Sequence, residues 1–472
     1  MTRALASSLA TLVLASGLLA GLGCSEPPAR PNLLFLVVDS LRSDRLAPYG
    51  SERPTPAISA LARQGVVFEQ SYSSAPWTMP SVATMFTGLA PTRHGVTNTD
   101  ALMSEELETL AERLLSRGYA TSAVVSHHMI GKKFRFDQGF ESFDQELARG
   151  HRFISSELLT QLAGRELKRL SRDSDGKPFF LFVHYFDPHY DYRDHPQYEY
   201  AKNSAGRLKG NEGIGQLRRM LDSMSEEELD FIRDRYDEEV RFTDAAIGRL
   251  LDRLKRLGLA ENTLVVFTAD HGEEFRDHGW LGHTQSLYRE LVHVPLVMRG
   301  PGLDRMRRFS APVSAVDLAP TLLELLGFRE SLGDGTSLVP RLRQSEVHPA
   351  PPVFCEVDYL GVDEGQPGLR TCHKKSVVGE SFQLVRDDES GEVELFRHEG
   401  DEAQIRNLAE ELPEEVARLT ALLDAHLARL ATGARELERT EFDEAELSEL
   451  RELGYVDSEE PEPEAPLEAE EE

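Results

Sequence analysis

Cysteine is scarce in this chain: Cys24, Cys355 and Cys372 are the only three in 472 residues. That excludes a disulfide-stapled scaffold and a cysteine-rich zinc module. Cys355 and Cys372 could still pair with each other, or stand as two separate thiols. Positive charge is short as well. Lys and Arg total 52 against 81 Asp and Glu, a formal net charge of −29. A nucleic-acid partner is thereby excluded, because phosphate backbones are gripped through basic patches. Part of the acidic excess lies in 458–472, nearly all Glu, Pro and Ala, a composition expected to be disordered. Apolar runs long enough to span a bilayer are absent after Leu22. What is present, 40% hydrophobic and 28% charged residues, describes a globular chain. It is long enough for one large α/β domain and a smaller one.

The one long apolar run is N-terminal. Arg3 precedes an uncharged stretch from Leu5 to Leu22, and Gly23-Cys24 leads into Ser25-Glu26-Pro27-Pro28. A short apolar core ahead of small residues reads as an export signal over 1–24. Cys24 resembles the lipidated cysteine of a bacterial lipoprotein, with Gly21 where such boxes usually carry Leu. That resemblance implies export to the periplasm or cell envelope and a lipid anchor at Cys24, the chain's one route to a membrane. An ordinary secretory signal with an incidental cysteine, or a single anchor helix, are the alternatives.

Residues 25–31 form a Pro-rich linker. Asn32 to Val38 is then a continuous apolar run ending in Asp39, the pattern of a strand buried on both faces. Similar runs recur at Val66–Phe68, Tyr119–Val125, Pro178–His184 and Leu264–Thr268. Helical spacing fills the gaps at Pro56–Gln64, Leu107–Arg117 and Glu226–Leu257, with Gly65, Gly118 and Gly258 as stops. This alternation predicts a doubly wound α/β fold, a mostly parallel sheet flanked by helices, over 32–345. Residues 189–225 read as an insertion loop that could wall a cleft. From 346 to 457 short strands and a helix at Pro413–Leu430 predict a smaller C-terminal α+β subdomain.

Chemistry in such sheets gathers at the carboxyl ends of the strands. Asp39, Asp270 and His271 fall there by pattern alone. Two carboxylates and an imidazole suit a divalent cation, whether Ca, Mn, Mg or Zn. A cation beside Thr78 would lower the pKa of its hydroxyl and ready it as a nucleophile. Each residue alone is also explained as a helix cap or turn. The specific signal is the order: strand-Asp39, then Thr78-Met79-Pro80-Ser81, then strand-Asp270-His271-Gly272.

That order resembles the sulfatase branch of the alkaline phosphatase superfamily from about residue 30 to 330. Phe136-Asp137-Gln138-Gly139-Phe140-Glu141 and Val316-Asp317-Leu318-Ala319-Pro320-Thr321-Leu322 match further family segments. The resemblance implies that Asp39, Thr78, Asp270 and His271 are the ligands and nucleophile of the main metal site. In the family a Cys or Ser, followed by x-Pro-x-Arg, becomes formylglycine; here Thr78 holds that slot and Val82 the arginine slot. Thr cannot become formylglycine. Ser40 stands for a second acid, Ser126 for a lysine with His128 as the histidine after it, and His283 for a downstream lysine. Phosphodiesterase-type relatives hold a second metal, for which Asp187, His189 and His283 are the candidates. With one metal, His128, His189 and His283 would instead be oxyanion donors or general acids.

A formylglycine hydrate releases sulfate by elimination, an exit that a Thr ester lacks. A phospho-Thr can be opened in line by water. The expectation is therefore an exported metal-dependent hydrolase whose Thr78 chemistry favours phosphodiester or other phosphoryl substrates, carried on a small molecule, glycan or lipid ester. A sulfuric ester hydrolase proper and an inactive binding protein on the same fold are the competing readings.

Overall fold

The computed structural model describes residues 30–148, 156–173, 176–201, 204–303, 306–344, 350–360, 371–435 and 437–455. The expected signal over 1–24 with Cys24, most of the linker and the acidic run 458–472 lie outside them.

All seven residues of strand β1 (Asn32–Val38) are buried, as their unbroken apolarity requires. The strand lies between β5 (Phe179–Tyr185) and β6 (Thr263–Ala269) and runs parallel to both. Asn32 ties the starts of the three together, its amide bonding Thr263 Oγ1 at 3.3 Å and the backbone N of Phe179 at 3.1 Å. The other strands of this sheet are β2 (Val66–Tyr72), β3 (Ala120–Val125), β4 (Ser142–Asp144), β7 (His293–Arg299), β8 (Arg307–Phe309) and β9 (Val313–Ser314). Their spatial order is β8-β2-β7-β6-β1-β5-β3-β4, with β9 also paired to β2. Only β7 runs antiparallel to its neighbours. The expected mostly parallel sheet with helices on both faces is what is found.

Helix α1 (Thr78–Thr87) packs in the apolar core on one face of the sheet. Helices α2 (Ser156–Asp173) and α3 (Glu226–Arg256) pack on the other. Ser225 and Glu228 form a reciprocal cap that starts α3. Within 189–225 the expected loop includes a helix at Ile214–Met220. A four-stranded antiparallel sheet follows: β10 (Val353–Tyr359), β11 (Cys372–Val378), β12 (Phe382–Asp387) and β13 (Val393–Arg397). Helix α4 (Pro413–Ala431) covers it through Leu419 and Leu423. Cys355 and Cys372 are both buried and free. In the β10–β11 register Cys355 faces Ser376 and Cys372 faces Tyr359, so the thiols are not cross-strand neighbours and do not pair. A last helix, α5 (Glu444–Glu452), returns to the main body.

Candidate active site

Four adjacent strands, β6-β1-β5-β3, are mutually parallel and end in register: Val38 lies beside Tyr185 and Ala269, and Val125 beside His184. Their carboxyl ends therefore deliver Asp270 and His271, Asp39, His184, and His127 to one place. Each of these side chains is buried.

The residues immediately after the strands are bent to fit. Ser40 takes a left-handed φ of 52°, a strained choice for a side chain other than glycine or asparagine. In return its N–H donates to Asp270 Oδ1 at 3.2 Å, its Oγ donates to Asp39 Oδ1 at 3.0 Å, and Tyr236 O–H donates to its carbonyl at 2.7 Å. Ser40 thus aligns the two carboxylates. Gly272 allows the loop after His271 to press on Glu290, whose carbonyl oxygen would lie 1.9 Å from an added Cβ. Thr78 opens α1, so charge forming on its oxygen meets the positive end of that helix.

Ligand atoms of Asp39, Asp270 and His271 lie within 4.8 Å of one another. His271 Nε2 is 3.4 Å from Asp39 Oδ1 and 3.3 Å from Thr78 Oγ1. His271 Nδ1 faces the Gly272 carbonyl at 2.8 Å and donates to it, which aims Nε2 at Asp39 and Thr78. Asp39 Oδ2 is buried without a hydrogen-bond partner. Burial, then the charge of Asp270, raise the Asp39 pKa. Burial opposes ionisation of Asp270 too, but His271 and His184 outweigh it and lower its pKa. Against its own burial, His271 is pulled up to about 9 by Asp270 and Asp39. A compressed pair of carboxylates, an orphaned carboxylate oxygen and an imidazole whose Nε2 proton an ion would displace fit a divalent cation.

Around this set stand four more histidines. His184 Nε2 lies 3.4 Å from Asp270 Oδ2, and Ser126 Oγ holds the His184 carbonyl at 2.7 Å. His127 Nδ1 accepts from the Met129 N–H at 3.1 Å, so its Nε2 carries a proton; that atom is buried, unpartnered and 3.9 Å from Asp39 Oδ2. His189 donates from Nδ1 to the Tyr190 carbonyl at 3.0 Å. The His189 and His283 ring centroids are 5.1 Å apart. His283 shares a proton with Glu273 across 3.0 Å; burial pushes Glu273 up to about 8 and His283 well below its ordinary value. Its other nitrogen, Nε2, is 3.2 Å from the hydroxyls of both Tyr190 and Tyr455.

Thr78, Asp39, Asp270, His271, His189 and His283 are thus brought together. His128 is not. It turns outward to Glu449, 3.4 Å away, and its ring packs on Phe134. The neighbouring His127 enters the site instead, because adjacent residues leaving a strand point to opposite sides. Asp187 also leaves its expected trio with His189 and His283. Its Oδ2 accepts the Ser156 N–H at 2.6 Å, capping the start of α2. Glu273, which no motif singled out, is buried and braces His283. His127, Tyr190 and Tyr455 carried no motif that singled them out.

Burial, then the charge of Glu239, hold Asp187 up at about 7. A carboxyl raised above its unfolded value penalises the fold as pH climbs from about 4 through 7 and not below that range. Asp187→Asn keeps an acceptor for Ser156 and carries no charge. It is expected to be more stable than wild type at pH 8, by on the order of 3 kcal/mol. The gain should fade toward pH 4, with turnover unchanged. Chemical denaturation at the two pH values reads this directly; a loss of turnover would return Asp187 to the site.

The sulfatase family model matches residues 31–328. The choline-sulfatase of Rhizobium meliloti (strain 1021) is 25% identical over 457 residues, 84% of this chain and 86% of that one. Among solved structures, a 2-O GAG sulfatase superposes with a TM-score of 0.69 at 22% identity, covering 92% of this chain and 98% of its own. The phosphonate monoester hydrolase of Agrobacterium radiobacter superposes with a TM-score of 0.68 at 22% identity, covering 86% and 96%. The chain belongs to the sulfatase family and is a hydrolase.

Proposed function

We propose that this hydrolase uses the plain hydroxyl of Thr78 as its nucleophile and acts on singly charged phosphoryl or phosphonyl esters in preference to sulfate esters. The observation that carries the reading is Thr78 Oγ1 at the mouth of α1, 3.3 Å from His271 Nε2, the atom that also lies 3.4 Å from Asp39 Oδ1. A divalent ion held by Asp39, Asp270, His271 and Thr78 would supply positive charge that favours the ionised hydroxyl and offsets charge on the reacting group.

The chain's own residues do the rest. Thr78 Oγ1, its proton released to solvent, attacks phosphorus in line, and the bond to the ester oxygen breaks. His127 Nε2–H, fixed by the Met129 N–H, offers a neutral donor to an oxygen of the reacting group. The Glu273–His283 pair can give a proton to the leaving oxygen and take one from the water that then opens the Thr78 ester. A sulfated Thr has no elimination route, so the second step favours phosphorus. The hydrogen-bond partners of Thr78 Oγ1 are His271 and Tyr455, neither of them a lysine or arginine. The positions that resemble family cations hold Val82, deep in the apolar core, and Ser126, tied to His184. A site so short of fixed positive charge suits a singly charged ester better than a doubly charged phosphate monoester.

Sulfate-ester hydrolysis by the same Thr is the second reading, favoured by relatives that bear sulfatase names, such as the choline-sulfatase. Side-by-side assay of an aryl sulfate, an aryl phosphate monoester, a bis-aryl phosphate and an aryl phosphonate monoester, on metal-reconstituted protein, separates them. Turnover of the sulfate alone would overturn the phosphoryl preference. We also propose export with a lipid at Cys24; Cys24→Ala should then move the protein from the membrane fraction to the soluble one.

A further inference from the structure

The segment after α5 re-enters the main body and reaches the nucleophile. Asp443 and Glu446 cap α5 reciprocally, Lys133 pairs with Glu446 at 2.5 Å, and Glu449 meets His128. Leu450 and Leu453 are buried in the same core as α1. Gly454 then takes a φ of +69°, and a Cβ there would lie 2.8 Å from Ile214 Cγ2 and 3.0 Å from Tyr190 Cε2. The chain passes at this point only as glycine. The Gly454 carbonyl accepts from Arg218 Nη1 at 2.9 Å, and the Tyr455 carbonyl accepts from Tyr359 O–H at 2.6 Å. The phenol ring packs among Trp77, His127, His189 and His283. Its oxygen ends 3.2 Å from Thr78 Oγ1 and 3.2 Å from His283 Nε2.

A removable plug is drawn from weakly held chain, with few buried contacts and exposed hydrogen bonds. The end of this segment, Leu450 and Leu453 to Tyr455, is buried with the core it joins, which makes it a wall of the site. A buried phenol must place its proton on an acceptor. Tyr190 O–H, itself approached by Arg218 at 3.5 Å, already faces His283 Nε2. Thr78 Oγ1 and His283 Nε2 both lie 3.2 Å from the Tyr455 hydroxyl, and Tyr190 O–H competes for His283 at the same distance, which leaves Thr78 Oγ1 as the uncontested partner.

We propose that Tyr455 is a catalytic residue: its O–H donates to the oxygen of Thr78 and, once Thr78 bonds the reacting group, to an oxygen of that group as charge builds there. The inference rests on Thr78 being the nucleophile. In the step it serves, the bond from Thr78 Oγ1 to phosphorus or sulfur forms and the bond to the ester oxygen breaks. The phenol keeps its proton throughout, so the donor is neutral and the balance of the step is unaltered.

The test uses the full-length, metal-reconstituted protein with Tyr455→Phe, which retains the ring. Turnover of the fastest ester class is expected to fall by roughly 10²-fold, as for loss of one oxyanion donor, with KM little changed. Affinity for orthovanadate should fall as well, while the melting temperature holds. Installing 2,3-difluorotyrosine at 455 keeps both ring and hydroxyl and changes only donor strength. It should shift kcat, which a purely structural role would not, and it decides the matter if Tyr455→Phe folds poorly. Unchanged kcat in both variants would overturn the proposal, and a rise in kcat would reveal a plug instead. A wild type inert on every ester class would count against Thr78 as nucleophile; equal orthovanadate binding by wild type and Tyr455→Phe would then count separately against Tyr455.

Discussion

Thr78→Ala is expected to lower turnover by at least about a thousandfold on every ester the wild type hydrolyses, the scale seen when a covalent nucleophile is removed. Thr78→Ser should retain a measurable part of it, because the oxygen survives and only a methyl group is lost. Thr78 is fully buried at the first turn of α1. Truncation removes one hydroxyl and leaves Asp39, Asp270 and His271 in place, so folding and ion binding should largely persist. The covalent route also predicts a trapped species. Rapid quenching of wild type with substrate, followed by peptide mass analysis, should find one phosphoryl or sulfuryl group on the peptide that contains Thr78. The same experiment identifies which of the two groups it is. If Thr78→Ala kept activity within tenfold of wild type and no labelled peptide appeared, the hydroxyl would be a ligand at most, and water would be the attacking group.

The sheet was legible because parallel strands buried on both faces cannot alternate. Leu33 to Val38 and Leu264 to Phe267 show this as unbroken apolar runs, and the acids that end them had to sit at the rim. Convergence of Asp39, Asp270, His271 and Thr78 followed from that rule and from the family order. Periodicity says less at the point where a strand stops. His127 and His128 are chemically identical neighbours, and only the turn fixed by the Met129 N–H decides which faces inward. Asp187 lies two residues beyond a strand end, as a metal ligand would, but an open helix start at Ser156 claims its carboxylate. Tyr455 could not be foreseen by any local rule. It reaches Thr78 from 377 positions away, through contacts that exist only once both sheets have formed. Ser40 was noted as a missing acid; its left-handed turn shows instead how the two remaining acids are aligned.

Asp39→Asn is expected to abolish the stabilisation that a divalent ion gives this protein and to cut turnover by at least about a hundredfold. Asparagine keeps the acceptor that Ser40 Oγ uses at 3.0 Å but removes the charge facing Asp270 and His271. Without an ion, two buried carboxylates press on each other, and that is part of why Asp39 resists ionisation. The variant should therefore melt at or above the wild-type temperature in chelator. Adding Mn, Zn, Mg or Ca tells the two apart. Ligand binding to the fold alone adds about 4 kcal/mol when the ion is at a thousand times its Kd, a shift of several degrees. Wild type should show it with at least one of these ions, and Asp39→Asn should not. The ion that produces the shift names the metal, and calorimetric titration gives the number of sites. A variant that gained as much stability as wild type on adding the ion would place the metal away from Asp39, and the charge needed to activate Thr78 would have to come from elsewhere.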